Sequence, residues 1–206
     1  MFIKLVRNLT TFILKNAYNL KIEGIEKVPA KGKLIFVCNH LSNIDPPIIE
    51  IAINKIRHAR FVVKKELMKV PIVAYIFRKQ NYIAIDRKKP GGDLRALRNI
   101  IGNINREHCV VIFPEGTRSK SGTPLDPKLG IGFVACKTNA PVLCARIFRT
   151  GKFPFTKNLL LKIGNMVECD NVKSSHKEES RQMYQEFSKK IMSEIFSIQE
   201  KDTQVT

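Results

Sequence analysis

The sequence predicts a single α/β domain, a mostly parallel or mixed sheet flanked by helices, with an amphipathic helix at the amino terminus. Three observations predict it. After Gly24, short β-branched runs alternate with longer segments of helical period. A length of 206 residues is enough for one substantial core, and 44% hydrophobic residues against 26% charged supply it. Neither an internal repeat nor a low-complexity linker divides the chain. The expected organisation is an interfacial helix over residues 1–20, one domain over 21–199 and a disordered polar tail over 200–206.

The first helix is read from residues 2 to 18. On a helical wheel Lys4, Arg7, Asn8, Thr11 and Lys15 fall in one arc, and Phe2, Leu5, Val6, Leu9, Phe12 and Ile13 form a broad apolar face. The segment is too charged and too short for a span of ~20 apolar residues. Its charges also interrupt the apolar run, unlike a cleaved signal peptide. The pattern suits a helix lying in the plane of an anionic membrane surface.

Strands are expected at Leu34–Cys38, Ala59–Val63, Tyr82–Ile85, Cys109–Phe113, Val142–Phe148 and Leu159–Ile163. Helices are expected after Asp45, capped by that residue with Pro46 and Pro47 in the first turn, and over Lys65–Arg78, Gly92–Arg106, Pro127–Thr138 and Lys177–Phe196. Within the second of these, the apolar stretch Leu67 to Phe77, started or kinked by Pro71, suits either core packing or contact with an acyl chain or lipid.

The charge is unusual: 36 Lys+Arg against 18 Asp+Glu give +18, so the chain seeks anions. Nucleic acid is one such partner, but the chain has no zinc spacing, helix-turn-helix signature or RNA-recognition aromatic pattern, and nucleic-acid binding is not expected. The five cysteines form no CxxC pair, imply no metal site and read as reduced core residues. A Gly-x-Ser-x-Gly elbow is absent, which argues against a serine hydrolase.

Two clusters carry chemistry. Asn39-His40-Leu41-Ser42-Asn43-Ile44-Asp45 stands where a buried strand ends and a helix begins. A loop of that length lets Asp45 reach one imidazole nitrogen of His40 and leaves the other free to take a proton. Phe113-Pro114-Glu115-Gly116-Thr117-Arg118-Ser119 again follows an apolar strand. There Arg118 can hold a phosphate with a planar fork of donors, Glu115 can accept from a hydroxyl, and Gly116 permits a sharp turn.

These segments closely resemble the glycerolipid acyltransferase family typified by bacterial 1-acyl-glycerol-3-phosphate acyltransferases. The first block, Asn-His, four residues, Asp, and the block Phe-Pro-Glu-Gly-Thr-Arg-Ser both stand unbroken. Lys64-Lys65-Glu66 through Pro71 to Arg87 resembles the family's second block, although Ala74 and Gln80-Asn81 replace glycines usual there. Ala140-Pro141-Val142-Leu143 resembles the fourth, with Cys144 where a second proline is usual.

The resemblance implies acyl transfer from acyl-CoA or acyl-carrier protein, as co-substrate, to the free hydroxyl of a lysophospholipid such as 1-acyl-glycerol-3-phosphate. Another lysophospholipid or glycerol-3-phosphate is the alternative acceptor. His40 is then the base, Asp45 its partner, and Lys64, Arg87 and Arg118, with Lys65 in reserve, hold the acceptor phosphate. Glu115, Gly116 and Thr117 complete the substrate loop. The resemblance implies no further cofactor, and a location on the cytoplasmic face of a membrane, as in a bacterial inner membrane.

Overall fold

A computed structural model describes residues 2–89, 92–119, 121–150, 158–169 and 177–200. Most of the expected tail, 201–206, and the side chains of Phe2 and Lys4 lie outside the described residues. Seven strands form one sheet in the order β1-β7-β6-β2-β5-β3-β4. In chain order they are β1 (Leu20–Glu23), β2 (Leu34–Cys38), β3 (Ala59–Lys64), β4 (Ile83–Ile85), β5 (Cys109–Ile112), β6 (Val142–Arg149) and β7 (Leu159–Val167). Every neighbouring pair is parallel except β6 and β7, so the sheet is mixed, as expected.

The central strand β2 is buried at all five positions. A strand covered by helices on both faces has no polar side to alternate, which is why its sequence is a continuous apolar run. Leu34, Phe36 and Cys38 face one core, with α1 (Phe2–Ala17) and α2 (Asp45–Ile53) packed over it. Ile35 and Val37 face the other, covered by α4 (Leu94–Asn105), α5 (Leu129–Thr138) and α6 (Lys177–Ser197).

Several elements differ from the sequence reading, each for a local reason. Between β3 and β4 the expected helix splits into a 3-10 turn, Lys65–Lys69, and α3, Pro71–Lys79. Val70 is extended because the proline ring disfavours helical dihedrals in the residue before it. α4 starts two residues later than Gly92, where the Asp93 carboxylate accepts from the Ala96 amide as a true N-cap. By contrast, Asp45 is not the cap of α2: Ile44 is, and Asp45 is the first helical residue. Strand β1 is an addition, paired in parallel with β7 at the edge of the sheet.

The cysteine reading needs one correction. Cys38, Cys109 and Cys144 are free and buried, but Cys136 and Cys169 are joined as a disulfide, their Cα atoms 5.1 Å apart. Antiparallel pairing of β6 with β7 returns the chain to the start of β6, beside the last turn of α5, and this brings the two residues together.

α1 also differs from the wheel in which side turns inward. Leu14 enters the core, with Val6, Arg7, Thr10 and Thr11 half-buried beside it. Leu5, Leu9, Phe12 and Ile13 point outward, Leu5 and Phe12 each 66% exposed. Thus Arg7 and Thr11 leave the polar stripe and face the domain, while the greasy face is left uncovered.

Candidate active site

Because β2, β3, β4, β5 and β6 run parallel, the loops leaving their carboxyl ends gather on one edge of the sheet, where open α/β folds place their ligands. The two motif loops follow β2 and β5, which are hydrogen-bonded neighbours. Adjacency in the sheet therefore joins segments separated by about seventy residues in sequence.

His40 lies at the centre. Its Nδ1 is 2.8 Å from Asp45 Oδ2, and that same oxygen accepts from the backbone N–H groups of Leu41 at 2.6 Å and Ser42 at 2.7 Å. Asp45 is 1% exposed. Three donors converge on one oxygen of this enclosed carboxylate, which turns back from the first turn of α2 to hold the loop before it. The imidazole is half-buried, and the Phe113 ring stacks on it with centroids 4.1 Å apart and planes inclined by 19°. With Nδ1 engaged and one face covered, Nε2 is the ring nitrogen left for a substrate.

The backbone of His40 is also fixed at both ends. Its N–H donates to Glu115 Oε1 at 3.1 Å, and its carbonyl accepts from Ser119 N at 2.8 Å, so the second motif loop grips the first. Asn39 sets the other side: Nδ2 donates to Ile147 O at 3.1 Å, and Oδ1 accepts from Ile147 N at 2.7 Å. The amide side chain thus imitates a strand and prolongs the β2–β6 ladder beyond its last residue.

Glu115 is 1% exposed, and its Oε2 is buried without a hydrogen-bond partner. Burial pushes its carboxyl above the ordinary range, with the His40 N–H opposing the shift. Gly116 adopts φ 68°, and a Cβ there would sit 3.1 Å from Lys128 Cγ. Both facts favour glycine. The Gly116 amide is already engaged with Phe113 O at 3.0 Å, so it is not a spare oxyanion donor. Thr117 is exposed on the same loop.

The expected phosphate ligands divide into two pairs. Arg118 donates to Asn43 Oδ1 at 2.9 Å, bridging the two motif loops, and Arg87 donates to the Gly116 carbonyl, which brings the end of β4 onto the second loop. Both guanidinium groups are exposed beside the dyad's loops. Lys64 instead pairs with Glu66 at 3.3 Å and Lys65 with Asp86 at 3.4 Å. The structure therefore brings the two arginines to the loops around His40 and gives each lysine an acidic neighbour.

Cys38, two residues before His40, is fully buried, and burial raises its thiol well above the usual value, with the Asp45 charge adding to the effect. A thiol kept protonated in this way is a poor nucleophile. Sequence reasoning assigned no role to Phe113 or Asn39; their motif positions are visible, but the ring stack and the clamp depend on strand adjacency.

A half-buried imidazole paired with a buried carboxylate at the carboxyl edge of parallel strands is the equipment for activating a hydroxyl group. A family model described as Acyltransferase matches residues 19–147, well over half of the chain, and the chain belongs to that family. It is 28% identical over 151 residues to a chloroplastic 1-acyl-sn-glycerol-3-phosphate acyltransferase of Arabidopsis thaliana, covering 72% of this chain and 42% of that protein. A 1-acyl-sn-glycerol-3-phosphate acyltransferase of Borreliella burgdorferi is 28% identical over 145 residues, covering 69% of this chain and 56% of its own length. The chain thus spans about half the length of these relatives. The crystal structure of the 1-acyl-sn-glycerophosphate acyltransferase PlsC from Thermotoga maritima matches with TM-score 0.64 and 29% identity, over 97% of this chain and 83% of that one.

Proposed function

We propose that the chain transfers a fatty acyl group from an acyl thioester, acyl-CoA or acyl-carrier protein, to the free hydroxyl of 1-acyl-glycerol-3-phosphate, giving phosphatidic acid. The observation that carries this reading is the 2.8 Å contact of His40 Nδ1 with buried Asp45, which leaves Nε2 free at the carboxyl edge, where Arg87 and Arg118 hold the two motif loops. The names of the relatives supply the acceptor.

In the proposed reaction Nδ1–H donates to Asp45, and Nε2 accepts the proton of the acceptor hydroxyl as its oxygen attacks the thioester carbonyl carbon. Asp45 stabilises the imidazolium that forms and holds the tautomer. The tetrahedral adduct collapses with cleavage of the C–S bond, and the departing thiolate takes the proton back from Nε2. No acyl-enzyme forms, and no cofactor beyond the thioester enters the scheme.

Arg87 and Arg118 hold the acceptor phosphate by planar forks, exchanging weak bonds to a carbonyl and an amide for charge-assisted ones. Lys64 and Lys65 add positive potential while remaining beside their acids. The outward face of α1 seats the chain in the plane of an anionic membrane. Among the described residues no helix is long and apolar enough to cross a membrane.

The test is a purified chain offered a panel of lyso-acceptors and both thioester donors, with products identified by mass. Phosphatidic acid is the expected product; a chain that acylates none of the phosphate-bearing acceptors would refute the reading.

A further inference from the structure

α1 is not the only apolar surface left uncovered. The 3-10 turn and α3 expose Leu67 by 42%, Val70 by 48%, Ile72 by 67% and Tyr75 by 48%, all within nine residues. A monomeric domain rarely leaves so many large apolar side chains together without something to cover them. α3 is amphipathic: Ala74 and Phe77 turn into the core, whereas Ile72 and Tyr75 share the outer side.

This surface lies on the same face of the sheet as α1. Leu14 of α1 and Phe77 of α3 belong to one core. Glu50 of α2 links the two helices: Arg7 of α1 is close enough to bias its ionisation, and its Oε1 accepts from Gln80 Nε2, just past α3, at 3.1 Å. Two helices that share an inner face expose their outer faces to the same side.

Charge identifies what covers them. Lys65, Lys69, Arg78 and Lys79 are exposed around the apolar residues, with Lys79 Nζ 6.0 Å from the centre of the Tyr75 ring. The nearby acids, Glu66 and Asp86, are already paired with Lys64 and Lys65. Apolar side chains framed by cations complement an anionic lipid surface, where the rings and aliphatic groups enter the acyl boundary and the cations stay among the head groups. A second copy of the chain, carrying the same positive frame, would be repelled.

We propose that Leu67, Val70, Ile72 and Tyr75 form a second membrane-seating element that works together with α1. The turn begins immediately after Lys64, the last residue of β3, at the edge of the sheet that carries His40. One helix in the interface leaves the domain free to swivel; two fix its orientation and hold the His40 edge at the bilayer. The functional meaning rests on the reading that the acceptor is a membrane lipid, whereas the seating itself does not.

The experiment places a polarity-sensitive fluorophore on the full chain at Ile72→Cys and, separately, at Met166→Cys. The free native cysteines are buried, and Met166 is exposed at the opposite edge, paired with Leu143 near the start of β6. With vesicles of equimolar phosphatidylglycerol and phosphatidylethanolamine, the label at 72 shifts to shorter wavelength and is shielded from aqueous iodide, while the label at 166 is not. Ile72→Asp, with α1 intact, lowers the partition coefficient by about tenfold, the effect of withdrawing one large apolar side chain from lipid.

A label at 72 that stays as quenchable on bound protein as on free protein overturns the proposal. So does shielding that grows with protein concentration in the absence of vesicles, since the cover is then a second copy. Acyl transfer measured in detergent micelles separates the two claims. Phosphatidic acid formation without shielding at 72 refutes the seating alone, and shielding without acyl transfer refutes the activity alone.

Discussion

Asp45→Asn tests the dyad with the smallest change of shape. In the native chain one carboxylate oxygen receives three donors: His40 Nδ1 at 2.8 Å, Leu41 N at 2.6 Å and Ser42 N at 2.7 Å. An amide oxygen in its place keeps the geometry but loses the charge, and charge-assisted bonds exceed neutral ones by roughly 1 kcal/mol each. Relief from burying a charge offsets part of the loss, so the net destabilisation is about 2 kcal/mol. For a chain of this length that lowers the melting temperature by about 4–8 °C, and the protein stays folded at assay temperature.

Catalysis suffers more. The amide oxygen still accepts from Nδ1–H and holds the tautomer, but without the carboxylate's charge the imidazolium formed on proton transfer is no longer stabilised. A fall in kcat of about 10²–10⁴-fold follows, with the Michaelis constant of the acceptor little changed. Initial rates by product mass, alongside thermal melts, measure both quantities. A folded Asp45→Asn chain with kcat within a factor of ten of the native value would refute the pairing as the source of basicity.

Other expectations follow from the same geometry. Arg118→Ala and Arg87→Ala should each raise the acceptor's Michaelis constant by about tenfold or more, leaving that of the thioester nearly unchanged. Glu115→Gln should flatten the dependence of stability on pH. The folded carboxyl is raised above its ordinary 4.5 by burial, so the native state holds its proton more tightly than the unfolded chain, and native stability falls as pH rises from there through the raised value. Glutamine cannot titrate, and acid melts of the two proteins compare the slopes. Phe12→Asp should weaken binding to anionic vesicles by about tenfold, whereas high salt should release only part of the native chain, because salt screens the cations and leaves apolar burial intact.

Much of this architecture was legible because buried strands in an α/β sheet advertise themselves as apolar runs. β2, β5 and β6 stand within a residue of their expected positions. β1 was not legible: Leu20–Glu23 is four residues with two charges, and only pairing with β7 makes it a strand. β7, expected to end at Ile163, runs on to Val167, past Gly164 and Asn165, where the register against β6 shifts before pairing resumes at Met166. The Cys136–Cys169 bridge spans 33 residues and depends on the same pairing, which no spacing in the sequence encodes.

At the site, the His40–Asp45 contact could be expected because it is local to a five-residue loop. The packing of Phe113 on the imidazole and the grip of Glu115 and Ser119 on the His40 backbone could not, since they require β2 and β5 to be neighbours. Long flexible cations were the least legible. Lys64 and Lys65 resemble phosphate ligands in sequence, yet each stands beside an acid close by in the fold.

The most direct measurement of the central claim is single-turnover acyl transfer by His40→Ala, with the fold verified by its circular dichroism and melting curve. Removing the base should lower the rate of phosphatidic acid formation by about 10³–10⁴-fold while vesicle binding is retained. A folded His40→Ala chain that forms phosphatidic acid at near-native rate would contradict the account.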